Sequence, residues 1–145
     1  MSETKMTRKT IQATLLAVFC GAFLFATPSF ALDLPEIKKM MQQLSKDLAQ
    51  AQTAMLIEDT ATLEKAAMAV ADHPMAPLTE RMKVMATLLT DMSDFKGWDE
   101  KTHESAKALA QAARAKDQKA QAIAYTGIIE GCMGCHANFR AKLRD

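Results

Sequence analysis

The stretch Gly131-Cys132-Met133-Gly134-Cys135-His136-Ala137-Asn138-Phe139-Arg140 holds the one grouping of side chains whose types and spacing name a chemistry. On a helix, two cysteines three residues apart share a face, and the residue after the second stands beside them. Each thiol can form one thioether to a porphyrin vinyl group, and the His136 imidazole can then reach the iron from the proximal side. The pattern predicts one haem c, covalently attached through Cys132 and Cys135. Three other readings use the same residue types. A redox dithiol sits at a strand-to-helix junction with a lowered thiol pKa, a zinc site needs a further ligand that only His73 and His103 could offer, and a Cys-Cys-His group can also be plain core filling.

The N-terminal sequence bears on the compartment. Lys5, Arg8 and Lys9 precede an apolar run from about Ile11 to Ala26 and a small-x-small ending at Ser29 and Ala31, the form of a secretory signal peptide. Residues 1–31 are expected to be cleaved, leaving 32–145 as a single periplasmic domain without stable membrane insertion. An uncleaved anchor is the competing reading, although the run is shorter than the roughly 20 residues that span a bilayer. Cys20 lies in this run and leaves with it. Export agrees with the haem reading, because covalent haem attachment is characteristic of the outer side of the membrane. It would also permit a Cys132–Cys135 disulfide, but so small a loop staples nothing distant. The remaining charges are nearly balanced and scattered, which gives no footprint for nucleic acid.

The segments that must position the motif read as helix nearly throughout. Ala, Met, Leu, Gln, Lys and Glu dominate, and no stretch has a strand pattern. Asp33, Pro35 and Glu36 have the form of a capping box opening a first helix, with Ile37, Met41, Leu44, Leu48, Ala51 and Met55 as its apolar stripe. A second helix covers 60–71 and is broken at Pro74 and Pro77, since each proline removes a donor and restricts the residue before it. Helix is expected to resume from Leu78 to Met92, burying Met82, Met85, Leu88 and Leu89, with Gly97 in the following turn. A helix from Trp98 to Lys116 turns Trp98, Thr102, Ser105, Ala106, Leu109 and Ala113 one way. The last, from about Asp117, sets Tyr125, Ile128, Ile129, Cys132, Cys135, His136, Phe139 and Leu143 on one core-facing stripe. The expected fold is all-α, an antiparallel four-helix bundle whose second segment is broken at Pro74/Pro77.

With the bundle, the position of the motif near the C-terminus and the aromatic-Arg pair Phe139-Arg140 after the histidine, the sequence resembles the class II c-type cytochromes. These are the cytochrome c prime group and its low-spin relatives. The resemblance covers residues 32–145. It implies a role for Arg140 near the haem propionates, against the plainer reading of an exposed helix-end arginine. It implies that Tyr125 and Phe139 pack against the ring edge or the bundle core. Relatives dimerise through the first two helices, and a homodimer of that kind is a further option, although no exposed stripe singles it out.

The sixth iron ligand separates two functions. The resemblance puts that position on the first helix, about a turn after its start, where low-spin members carry Met and high-spin members a noncoordinating apolar residue. The matching residue is Met41, with Met40 the neighbour one position off; His73 and His103 are weaker distal candidates. Ligation by Met41 would make a monohaem carrier of single electrons that serves redox partner proteins. Without a protein ligand the chain would be a five-coordinate haem protein binding NO or CO. Eleven methionines make core filler a serious competitor for either residue. Enzymatic function is not expected, because no paired carboxylates or histidine-carboxylate cluster lines the haem stripe. Asp99 and His103, one turn apart, read as a surface helix pair.

Overall fold

A computed structural model describes residues 32–144. The expected signal segment lies outside the described residues. Five helices follow in order: α1 (Pro35–Leu56), α2 (Thr60–Ala71), α3 (Leu78–Leu88), α4 (Met92–Ala115) and α5 (Gln118–Arg144), with one 3-10 turn, Leu89–Asp91, before α4. The four longer helices form the expected antiparallel bundle, in which α1 packs on α2, α2 on α4 and α4 on α5. The prolines do break the second segment, and α3 is a separate short helix beyond the break.

Small residues set the spacing of the core. Ala51, Ala67, Ala106, Ala110 and Ala113 are fully buried around Leu63, Leu109 and Ile128. Each of these three large side chains contributes about 2 kcal/mol by leaving water, and the alanines between them let helix axes approach. A second cluster joins Leu34, Val84, Leu88 and Phe139, tying the start of α1 and all of α3 to the end of α5. Within it Phe95 meets Phe139 edge to face, with centroids 5.5 Å apart.

Several local expectations change. Gly97 lies inside α4, which starts at Met92, because a lone glycine weakens a helix by only about 1 kcal/mol and no proline accompanies it. The start of α1 is not a capping box. Its N-cap is Leu34, and the exposed donors of its first turn are satisfied from α3, where the Glu80 carboxylate accepts from the backbone N–H of Glu36 at 3.0 Å and of Ile37 at 2.9 Å. That long-range cap fixes the rotation of α3. Glu80, Val84 and Leu88 therefore face inward, and Met82, Met85 and Leu89, expected inside, are exposed. Asp59 caps α2 by accepting from Thr62 N–H, and the Thr62 hydroxyl first, then that N–H, hold its carboxyl below the usual range. Lys116, in the left-handed conformation with φ 55°, closes α4 and leads directly into α5.

Candidate functional site

The motif occupies the middle of α5, and its geometry begins with three glycines. Gly127, Gly131 and Gly134 recur at four and three, so they share one face, and that face meets α4. A Cβ at Gly127 would collide with the Ser105 side chain, at Gly131 with Thr102, and at Gly134 with the Trp98 ring. Trp98, Thr102 and Ser105 are thus seated in notches, as antiparallel helices in register require. The expected inward face of α4 is borne out. The glycine pattern was visible in the sequence as Gly-x-x-x-Gly-x-x-Gly but was not read.

This packing aims the thiols. Cys132 and Cys135 are unlinked and half-buried, Cys132 against the core cluster that also touches Leu44, Leu48 and Tyr125, Cys135 against the one that touches Ile37, Phe95, Trp98 and Leu143. Burial pushes the Cys135 thiol up to about 11, with smaller contributions from Asp99 and Cys132. Burial likewise raises Cys132, against a contact with the Thr102 hydroxyl that lowers it. Neither is the low-pKa thiolate that a redox dithiol or a preformed zinc site needs. Tyr125 is also raised, by burial and then by Cys132, two turns along the same helix.

The remaining expected residues are placed as follows. Phe139 is buried, and Arg140 is exposed one turn beyond His136 on the same side. His136 itself is exposed and leaves the core-facing stripe. The buried side of α5 centres on Ala124, Ile128 and Gly131, and one residue past Cys135 is a further 100° around the helix. On α1 the inward face runs through Ile37, Met40, Leu44, Leu48, Ala51 and Ala54. Met40 lies within that face and is half-buried, whereas Met41 is at its edge and 40% exposed. A groove of about 660 Å³ lined by Trp98, Lys101, Phe139 and Lys142 flanks the motif but reaches neither thiol nor His136.

The donor set fits haem c. Two neutral thiols on one helical turn can be alkylated by vinyl groups, an accessible imidazole follows them, and half-buried Leu, Ile, Phe and Trp side chains supply apolar cover for a porphyrin. The family model for Cytochrome C' matches residues 29–140. The chain belongs to the cytochrome c' family. This covers every helix up to the motif and agrees with the resemblance seen in the sequence. Cytochrome c' proteins attach haem covalently through cysteines, act as non-catalytic carriers of electrons or gases, and are typically periplasmic. No curated protein and no solved structure gives a match. Among the described residues no helix is long and apolar enough to cross a membrane.

Two histidines outside the motif come together across the bundle, which sequence reasoning missed. His73, after α2, faces His103 of α4, and Asp99 completes the group. The Asp99–His103 spacing was visible; that the proline break folds His73 onto it was not.

Proposed function

We propose that this cytochrome c' family member is a periplasmic five-coordinate haem protein that binds NO or CO, with the signal peptide 1–31 removed and residues 32–145 forming the mature domain. Cys132 and Cys135 hold the group as thioethers and His136 is the proximal ligand. Haem c, when bound, would supply an iron able to take up a diatomic gas. The chain's part would be apolar cover, for Ile37, Leu44 and Leu48 on α1 carry no donor atom and border the same clusters as the two thiols.

The observation that carries the reading is the family match, joined by the exposure of Met41 at the edge of the inward face of α1. Tyr125 and Phe139 pack beside the motif, and Arg140, one turn from His136, is available to a propionate. A Met-ligated electron carrier serving redox partners is the second reading. The inward position of Met40 favours it, and Met41 remains the other donor. Dimerisation through α1 and α2 belongs to either reading and is checked by sedimentation.

The deciding experiment is the visible spectrum of the haem-loaded protein, oxidised and reduced, with CO added to the reduced form. A broad high-spin spectrum that shifts on CO addition is expected. A sharp low-spin spectrum indifferent to CO would overturn it, and Met40→Ala and Met41→Ala would then locate the bond.

A further inference from the structure

Where α2 ends, the structure brings together three side chains able to bind metal. Asp99 and His103 stand one turn apart on α4, and His73 reaches them from the non-helical segment between α2 and α3. One ligand atom from each of the three lies within 4.8 Å of the other two, and His103 Nε2 is 3.5 Å from Asp99 Oδ2. The two imidazole rings face each other with centroids 4.8 Å apart and a tilt of 31°.

Both rings are oriented from behind by backbone. His103 Nδ1 is held on the carbonyl of Ala71, the last residue of α2, and His73 Nδ1 lies 3.2 Å from the Pro74 carbonyl. A carbonyl can only accept, so each Nδ1 donates to it, and in the neutral imidazole Nε2 is then the nitrogen left to bind a metal. Metal-binding histidines are set in this way, with the second ring nitrogen donating to a carbonyl or carboxylate. Capping the end of α2 explains His103 alone. It does not explain why His73 and a carboxylate converge on the same point.

We propose that His73, Asp99 and His103 bind one divalent transition-metal ion, with Zn²⁺ the best match, at a site distinct from the haem iron. Tetrahedral zinc with ligand distances of about 2.0–2.1 Å holds its ligand atoms roughly 3.4 Å apart. The His103–Asp99 pair already has that spacing, and His73 has to close by on the order of an ångström from a segment outside any helix. Two imidazoles and a carboxylate with an open fourth position suit zinc better than the oxygen-seeking Mg²⁺ or Ca²⁺. Asp99 is exposed and both histidines are half-buried, so an ion has a path from solvent. The site is the same whether a methionine or no protein group completes the haem iron, and requires only that neither His73 nor His103 does.

The test is titration of the haem-loaded mature protein with Zn²⁺ by calorimetry, with the Soret spectrum followed in parallel. The expected result is saturable binding of one Zn²⁺ per chain. Affinity should fall at least about tenfold in each of His73→Ala, Asp99→Asn and His103→Gln, with no change in iron coordination. His103→Gln keeps a donor for the Ala71 carbonyl, and His73→Ala alters no helix, so a folding defect in one variant leaves the other to decide. Absence of saturable binding would overturn the proposal, as would wild-type affinity in all three variants. A change of iron coordination on adding Zn²⁺ would assign a histidine to the haem and overturn it too.

Discussion

Along α5, the face toward α4 is notched by Gly127, Gly131 and Gly134 and filled by Ser105, Thr102 and Trp98, whereas the face with the thiols borders side chains left half exposed, among them Ile37, Leu44, Leu48 and Tyr125. The first face is closely packed, against side chains at Gly127 and Gly134 and against the Thr102 backbone at Gly131. The second is apolar yet loosely covered, because α1 leans on α2 and meets α5 only slightly. The contrast shows how a helix can be held firmly in register from one side while it presents reactive groups on the other.

The open side has the largest expected effect. Replacing Cys132 and Cys135 together by serine should abolish covalent haem, read as loss of haem staining after denaturation, with the fold of α4 and α5 kept by circular dichroism. On the closed side, Gly131→Leu should destabilise by about 3 kcal/mol in urea unfolding. Its Cβ would meet not only the Thr102 hydroxyl but also the Thr102 backbone nitrogen at 3.2 Å, which cannot rotate away. Gly127→Ala is the contrast: only the Ser105 side chain opposes it, and the gain in helix propensity is about 1 kcal/mol, so it should be close to neutral. Equal costs at the two positions would mean that α4 and α5 are not docked in this register.

Glu80→Ala probes the strap of α3 over the start of α1. Losing a buried carboxylate that accepts from two N–H groups should cost about 2 kcal/mol in the same assay. A smaller effect is expected from pH. In the haem-free chain Cys135 keeps its proton up to about 11, above the ordinary 9.0 of a free thiol, so the unfolded state ionises first as pH rises. Stability should therefore fall between those two values in haem-free protein, and fall less there in haem-loaded protein if thioether formation has consumed the thiols, the raised Tyr125 still contributing. The smallest change is Lys116→Gly, which relieves a left-handed residue and should stabilise by up to about 1 kcal/mol.

What the sequence made legible was whatever depends on local pattern. The bundle, the proline break and the Cys-Cys-His turn are carried by residue type and spacing, and all three stand in the structure. The missed features depend on contacts between distant segments. Glu80 reads as an ordinary surface glutamate until α1 is laid against it, and its pull on α3 is what turned Met82 and Met85 outward. His136 was assigned to the core stripe because an arc drawn on a helical wheel has no centre until the partner helix is known. With Gly131 docked on α4, that centre moved and the histidine was carried out to solvent. The same uncertainty of about one residue in rotation separates Met40 from Met41.

The two residues between the cysteines are not interchangeable. Gly134 is pinned beneath the Trp98 ring, while Met133 is 64% exposed. Position 133 therefore works as a window within the Cys-x-x-Cys-His turn. A probe amino acid introduced there would ride on the same turn as both cysteines, lie mostly in solvent, and serve as a ruler for whatever approaches that end of the molecule.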